Sequence, residues 1–266
     1  MNTADTTRSA QTEPDNDSAD ETLGTVLSVR ALYKSFTLHS IDGRTVPSLR
    51  GVDLDVRTGE HVALAGPSGA GKSSLLRCVY RTYLPDSGSV RLRTAAGPVE
   101  LTTLPDREMA RLRGREFGYV SQFLAAPPRT GPLEVVAATA RRRGLDRARS
   151  REAAAAALRR LNLDEALWDV DCGVLSGGER QRVNLAAGTV QPPRLLLLDE
   201  PVSALDPANR EAALELIDSL AGQGVAVLAV FHDMDAIRQL ASRVVFVKEG
   251  RIAQQGVPAQ MLEEAA

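Results

Sequence analysis

The sequence predicts an α/β fold with a mostly parallel core sheet, an antiparallel β flank and an inserted α-helical subdomain. Three observations lead there. A glycine-rich loop at residues 66–74 stands directly between an apolar strand pattern and a helix pattern. Continuous apolar runs at 195–198 and 225–231 alternate with helical stretches, the arrangement of parallel strands covered on both faces. Between about 131 and 171 the composition turns to Ala and Arg, as an inserted helical region would.

Taken in order, residues 1–24 hold six acidic residues and one Arg. They cannot bury enough apolar surface to offset ordering entropy and read as a disordered tail, with an electrostatic arm as the alternative. Residues 26–32 alternate as a strand does, and Ile41-Asp42-Gly43-Arg44 reads as a hairpin turn into a strand at 49–56. A strand at 61–65 enters the glycine loop, and a helix follows from Lys72 to about Tyr83. Pro85-Asp86-Ser87-Gly88 ends that helix and turns into a short strand at 89–92. Residues 139–160 carry eight Arg against Asp146 and Glu152, with Gly144 breaking the stretch into two helices. Such arginines form a solvated face, or else dock on an acidic partner or RNA. After them come a helix from Gly177, a strand at 195–198, a helix from about Pro207, a strand at 225–231 and a last α/β pair.

Bulk properties bound the function. At 266 residues there is ample core for one large domain or two small ones, and 43% hydrophobic with 25% charged content is that of an ordinary globular protein. A net charge of −2 gives no general argument for nucleic acid or anionic lipid, so no nucleic-acid partner is expected. No apolar run approaches the ~20 residues of a membrane span, and the start lacks the basic region and apolar core of a signal peptide. A cytoplasmic location is the expectation. Cys78 and Cys172 lack metal-ligand spacing and read as buried or incidental thiols rather than a disulfide.

The chemistry starts at the glycine loop, which fits G-x-x-x-x-G-K-[ST] from Gly66 to Ser73. Gly66, Gly69 and Gly71 let the backbone turn so that successive N–H groups face one anion, with Pro67, Ser68, Ala70 and Ser74 completing the cradle. The helix starting near Lys72 adds the positive end of its dipole. Lys72 can reach β- and γ-phosphates and the Ser73 hydroxyl can hold Mg²⁺, which makes this a nucleoside triphosphate site of the P-loop NTPase kind. The strand at 195–198 ends in two carboxylates: Asp199, placed to bind Mg²⁺, and Glu200, placed to polarise an attacking water. A second glycine-rich loop, Ser176-Gly177-Gly178, opens another helix and so offers a second anion site.

With these pieces the sequence resembles the ATP-binding-cassette (ABC) ATPases over roughly residues 25–255, every motif in family order. Gln122 matches the family's glutamine loop, residues 175–181 its signature motif, and Leu198-Asp199-Glu200-Pro201 its Walker B. Ser203-Ala204-Leu205-Asp206 matches the D-loop and His232 the switch histidine. The resemblance implies an ATP hydrolase using ATP and Mg²⁺. Glu200, His232 and Gln122 would be catalytic, and Ser73, Gln122 and Asp199 would hold the metal. The phosphate loop with Ser176, Gly177 and Gly178 would bind ATP. Phe36 fits the aromatic stacked on adenine, with Tyr33 as runner-up. It further implies a second ABC chain, same or different, so that each ATP lies between one chain's phosphate loop and the other's signature loop. The domains read as a tail over 1–24 and an ABC ATPase domain over 25–266, its helical subdomain at about 124–176.

Scattered features outside that core are similar to the PhnL-type ATP-binding subunit of the phosphonate carbon–phosphorus lyase system: residues 32–39, 83–88, 121–123, Pro128-Arg129, 133–136, 182–184 and 231–233. This implies a subunit supporting ATP-dependent formation of ribose 5-triphosphate phosphonate, with lyase-complex proteins as partners. The alternative is the ATPase of a membrane transporter of lipoprotein-release or exporter type, with a membrane permease as partner. Val202 stands where Thr is frequent before the D-loop, and Ala186-Ala187-Gly188 replaces an arginine often found after the signature helix begins. Neither change removes a phosphate or metal ligand.

Overall fold

A computed structural model describes residues 24–38 and 43–263. The expected acidic tail, up to residue 23, and the turn residues Ile41 and Asp42 lie outside them. The first strands among the described residues are β1 (Thr25–Leu38) and β2 (Arg44–Arg57), which pair antiparallel. With β4 (Ser87–Thr94) and β5 (Gly97–Glu100) they form a four-stranded sheet in the order β2-β1-β4-β5, antiparallel throughout. This is the expected flank.

The core sheet contains β3 (His61–Ala65), β6 (Phe117–Val120), β7 (Leu195–Asp199), β8 (Ala226–Val230), β9 (Arg243–Lys248) and β10 (Arg251–Gly256). Its order is β10-β9-β3-β8-β7-β6, parallel except where β10 joins β9. Every residue of β3, β7 and β8 is buried. Successive side chains of a strand point to opposite faces, which divides the core in two. Leu195, Leu197, Leu228 and Val230 face the cluster shared with the antiparallel flank, whereas Leu196, Leu198, Val227 and Ala229 face the other. Burial on both faces explains why these strands read as unbroken apolar runs.

The helices are α1 (Lys72–Val79), α2 (Asp106–Arg115), α3 (Pro132–Arg142), α4 (Arg147–Arg160), α5 (Gly177–Thr189), α6 (Pro207–Asp218), α7 (Met234–Leu240) and α8 (Pro258–Glu263). Gly144, at φ 105°, separates α3 from α4, and Asp146 caps α4 by accepting from the Arg149 N–H at 2.9 Å. One boundary differs from expectation: α1 ends at Val79, not near Tyr83. Arg113 on α2 donates to the carbonyls of Tyr80 and Arg81 at 3.0 and 2.7 Å, and Arg81 turns left-handed at φ 59°. A cation from another helix thus satisfies the last carbonyls and stops the helix one turn early. Cys78 and Cys172 are buried and unbridged, as expected.

Candidate active site

β3 delivers the chain into the 66–74 loop, which packs too closely for side chains at two points. A Cβ on Gly66 would lie 2.1 Å from the Val247 carbonyl oxygen, and one on Gly71 2.5 Å from that of Ser48; their φ values are 130° and 107°. Gly71 starts α1 with no side-chain cap, so the first N–H groups of that helix keep no partner of their own. An uncapped helix start behind a glycine turn is the geometry that accepts phosphate.

Lys72 is buried at 6% exposure and donates to the carbonyls of Gly66 and Pro67 at 2.7 and 2.9 Å. Burial holds its ammonium below the ordinary lysine range, while Glu200 and Asp199 pull it back up. The loop, Ser68 through Ser74, lines a cavity of about 410 Å³ with Phe36, Val46, Pro47, Ser48, Glu200, Val230 and His232.

Asp199, the last residue of β7, is 4% exposed and accepts a hydrogen bond from Ser73 Oγ at 2.9 Å. Hydroxyl and carboxylate oxygens side by side are hard donors suited to Mg²⁺. Among the described residues no group of three or more His, Cys, Asp or Glu could hold a metal alone. Mg²⁺ therefore fits this corner only if phosphate and water supply its other ligands.

Glu200 follows in the left-handed region at φ 56°, its N–H donating to the Val230 carbonyl at 3.1 Å. Such a backbone is costly for a non-glycine residue and turns the side chain away from the run of β7. Glu200 Oε1 lies 2.9 Å from His232 Nε2, at the end of β8. The two groups thus come from neighbouring parallel strands and meet over the phosphate loop.

The other candidates divide. Phe36 reaches the cavity rim, edge-on to Tyr83 at 5.0 Å between centroids. Tyr33 instead lies over Gly51, where a Cβ would approach its hydroxyl to 2.8 Å. Gln122 is exposed beyond β6 and does not line the cavity. Ser176, Gly177 and Gly178 do not line it either, and Ser176 and Gly177 are exposed. Ser176 Oγ accepts from the Glu179 N–H at 3.3 Å and Glu179 accepts from the Ser176 N–H at 2.7 Å, a reciprocal capping box. Helix α5 behind this loop is tied to the turns that carry Gln122 and Glu200. Asn184 donates to the Ser121 carbonyl at 2.7 Å beside Gln122, and buried Gln181 donates to the Pro201 carbonyl at 2.8 Å beside Glu200.

Sequence reasoning missed Ser48, whose hydroxyl donates to Ser74 Oγ at 2.8 Å, and Arg77, whose Nη2 is 4.0 Å from Asp199 Oδ2. Arg77 was legible in principle, since it lies on the helix the phosphate loop opens. Ser48 lies on β2 in no motif, and nothing local marks it.

The sequence pattern of the family described as "ABC transporter" matches residues 49–203. The chain is 37% identical over 233 residues to the lipoprotein-releasing system ATP-binding protein LolD 2 of Caulobacter vibrioides, covering 87% of this chain and 98% of that one. It is 38% identical over 216 residues to the macrolide export ATP-binding/permease protein MacB of Nitrosomonas europaea, covering 81% of this chain but 32% of that protein. Its fold matches the solved dimeric structure of the ATP-binding cassette MJ0796 bound to ADP and Pi. The TM-score is 0.79 at 26% identity, covering 87% of this chain and 98% of that one.

Proposed function

This chain belongs to the ABC transporter family as an ABC ATPase, and on that premise we propose that it powers a membrane transporter of lipoprotein-release or exporter type. It hydrolyses ATP, with ATP and Mg²⁺ as the groups ABC ATPases bind. The observation that carries the reading is the likeness to LolD 2 over 98% of that protein; its paired-chain part is supported by a second glycine loop that lies outside the cavity lined by the 66–74 loop. In the proposed assembly Ser176, Gly177 and Gly178 of a second ABC chain close over the triphosphate held by Lys72. We take residues 25–266 as one ATPase domain with a helical subdomain at about 124–176, working at the cytoplasmic face of the membrane. Among the described residues no helix is long and apolar enough to cross a membrane. In this reading a membrane permease supplies the path.

In this reading Lys72 leaves the Gly66 and Pro67 carbonyls for the β- and γ-phosphate oxygens. Ser73 and Asp199 would hold Mg²⁺, which when bound would supply charge neutralisation on the phosphates. Phe36 stacks on the adenine. Glu200 takes a proton from a water whose oxygen bonds to the γ-phosphorus, while the bond from that phosphorus to the bridging oxygen breaks. ADP and inorganic phosphate result. His232, 2.9 Å from Glu200, holds the carboxylate on line and faces the γ-phosphate. Gln122 joins the metal only if its loop moves inward from the exposed position beyond β6.

The finer likeness to the PhnL-type subunit of the carbon–phosphorus lyase gains no support from the relatives named above, which serve release and export systems. The transporter alternative fits better and is the one advanced. Isolation of the protein from its own cells tests it: a co-purifying permease supports the reading, and lyase subunits without a permease overturn it. Glu200→Gln with ATP should run as a dimer on a sizing column. A variant still monomeric there would exclude the homodimer and require mixing with a second ABC chain.

A further inference from the structure

Glu200 and His232 stand between two cavities. One is the phosphate cavity of about 410 Å³. The other, of about 340 Å³, shares both residues and is lined besides by Val202, Ser203, Leu205, Arg210, Phe231 and Asp233. The His232 side chain is 54% exposed. A side chain with space on both sides is not set by packing, so its direction comes from the backbone that carries it and from polar contacts. That backbone is the short turn 231–233, between β8 and the seven-residue helix α7.

Asp233 fastens this turn in two directions. Its Oδ1 accepts from the N–H groups of Asp235 and Ala236 at 2.8 and 3.4 Å, which caps α7. Its Oδ2 accepts from Arg210 Nη2 on α6, far away in sequence. Burial alone would raise the Asp233 carboxyl, yet those N–H groups and Arg210 together hold it below the usual carboxylate range. The pair is therefore charged at neutral pH. Arg210 acts from a firm base, the first turn of α6, where Asp206 accepts from the Asn209 N–H at 3.1 Å. Arg182 of α5 ties the same turn from behind, donating to Asn209 Oδ1 at 3.4 Å.

We propose that Arg210 is a positioning residue for ATP hydrolysis. By pairing with Asp233 it fixes the turn that carries His232, and through it the 2.9 Å contact from His232 to Glu200. Arg210 touches neither the phosphate cavity nor the phosphate loop, so its effect passes through His232 alone. Without the pair, α7 keeps its cap but the turn loses its tie to α6. His232 and Glu200 then share the hollow behind them with no fixed direction toward the γ-phosphate.

The test is ATP hydrolysis by the full chain, read as kcat and KM, with ATP affinity measured by equilibrium titration. Arg210→Gln should lower kcat about tenfold while KM and ATP affinity stay within about twofold, because the loss falls on alignment and not on nucleotide binding. A lysine can replace a single Nη2 contact, so Arg210→Lys should recover most of the loss. Asp233→Asn keeps an oxygen for the α7 cap and should match Arg210→Gln. The double variant should be no slower than either one. Gln239→Ala removes another tie between α6 and α7, the 3.4 Å bond from Gln239 Nε2 to Glu211 Oε1, and should leave kcat unchanged. An unchanged kcat in Arg210→Gln would overturn the assignment, as would an equal loss in Gln239→Ala. So would multiplying losses in the double variant, or a lysine variant no better than the glutamine one. The inference rests on Glu200 and His232 acting in hydrolysis. Full turnover in Glu200→Gln would remove that reading; no turnover there with full turnover in Arg210→Gln would remove this inference alone.

Discussion

The two glycine loops of this chain look alike in sequence and differ in state. The 66–74 loop is anchored in the core at Ala70, Gly71 and Lys72 and exposed at Pro67, Ser68 and Gly69, its helix start uncapped and its lysine turned back on the loop's own carbonyls. The 176–178 loop is exposed at Ser176 and Gly177 and closed on itself by Ser176 and Glu179. One is a cradle whose donors wait for a ligand. The other is stable without one and faces outward. The difference teaches that a glycine-rich helix start is not one device: burial and capping decide whether it holds an anion alone or offers itself to an anion held elsewhere.

Substitutions sharpen that contrast, and the largest effects fall on the buried loop. Glu200→Gln should cut turnover about a thousandfold while ATP binding survives, because the carboxylate acts on the proton of the attacking water. Lys72→Ala should weaken ATP binding about a hundredfold by equilibrium titration, since charge-assisted contacts to phosphate are removed. Equal loss of binding in both variants would show the roles misassigned.

Glycines separate the loops by stability. Gly66→Ala should cost roughly 3 kcal/mol in thermal or denaturant unfolding, because its Cβ meets a backbone carbonyl and its φ is 130°. Gly177→Ala meets nothing within 4 Å and should leave the monomer unchanged or better by up to ~1 kcal/mol. A costly Gly177→Ala would mean the second loop is not free in the isolated chain.

The smallest effect concerns the capping box. Hydrogen bonds from the Ser176 backbone, and then its side chain, hold the Glu179 carboxyl below the usual range. A depressed carboxylate stabilises the fold above its unfolded value, ~4.3, and the contribution disappears as pH falls through the folded value. Glu179→Ala should cost about 1 kcal/mol at neutral pH, with the gap to wild type closing in acid.

Much of this was readable in the chain itself. The core strands were legible because both their faces are buried, and the glycine loops because their motifs fix spacing. The elements left unread are the polar ones. Helix α2 buries one residue, Met109, and β10 buries none, so neither carries a clear period. The strand β5 is four residues long. Contacts far apart in sequence were also out of reach. Ser48 meets Ser74 across 26 positions, and Arg113 stops α1 from another helix. The left-handed turn at Glu200 leaves no local signal, since no glycine marks it.

The central claim is that each ATP lies between the buried loop of one chain and the exposed loop of another. Cys78 and Cys172 are buried, so introduced cysteines can be read against a quiet background. In a Glu200→Gln chain, Ser68→Cys and Gly177→Cys on separate copies, treated with a short bismaleimide, should cross-link between chains only when ATP and Mg²⁺ are present. Bound ATP without any intermolecular product would contradict the account.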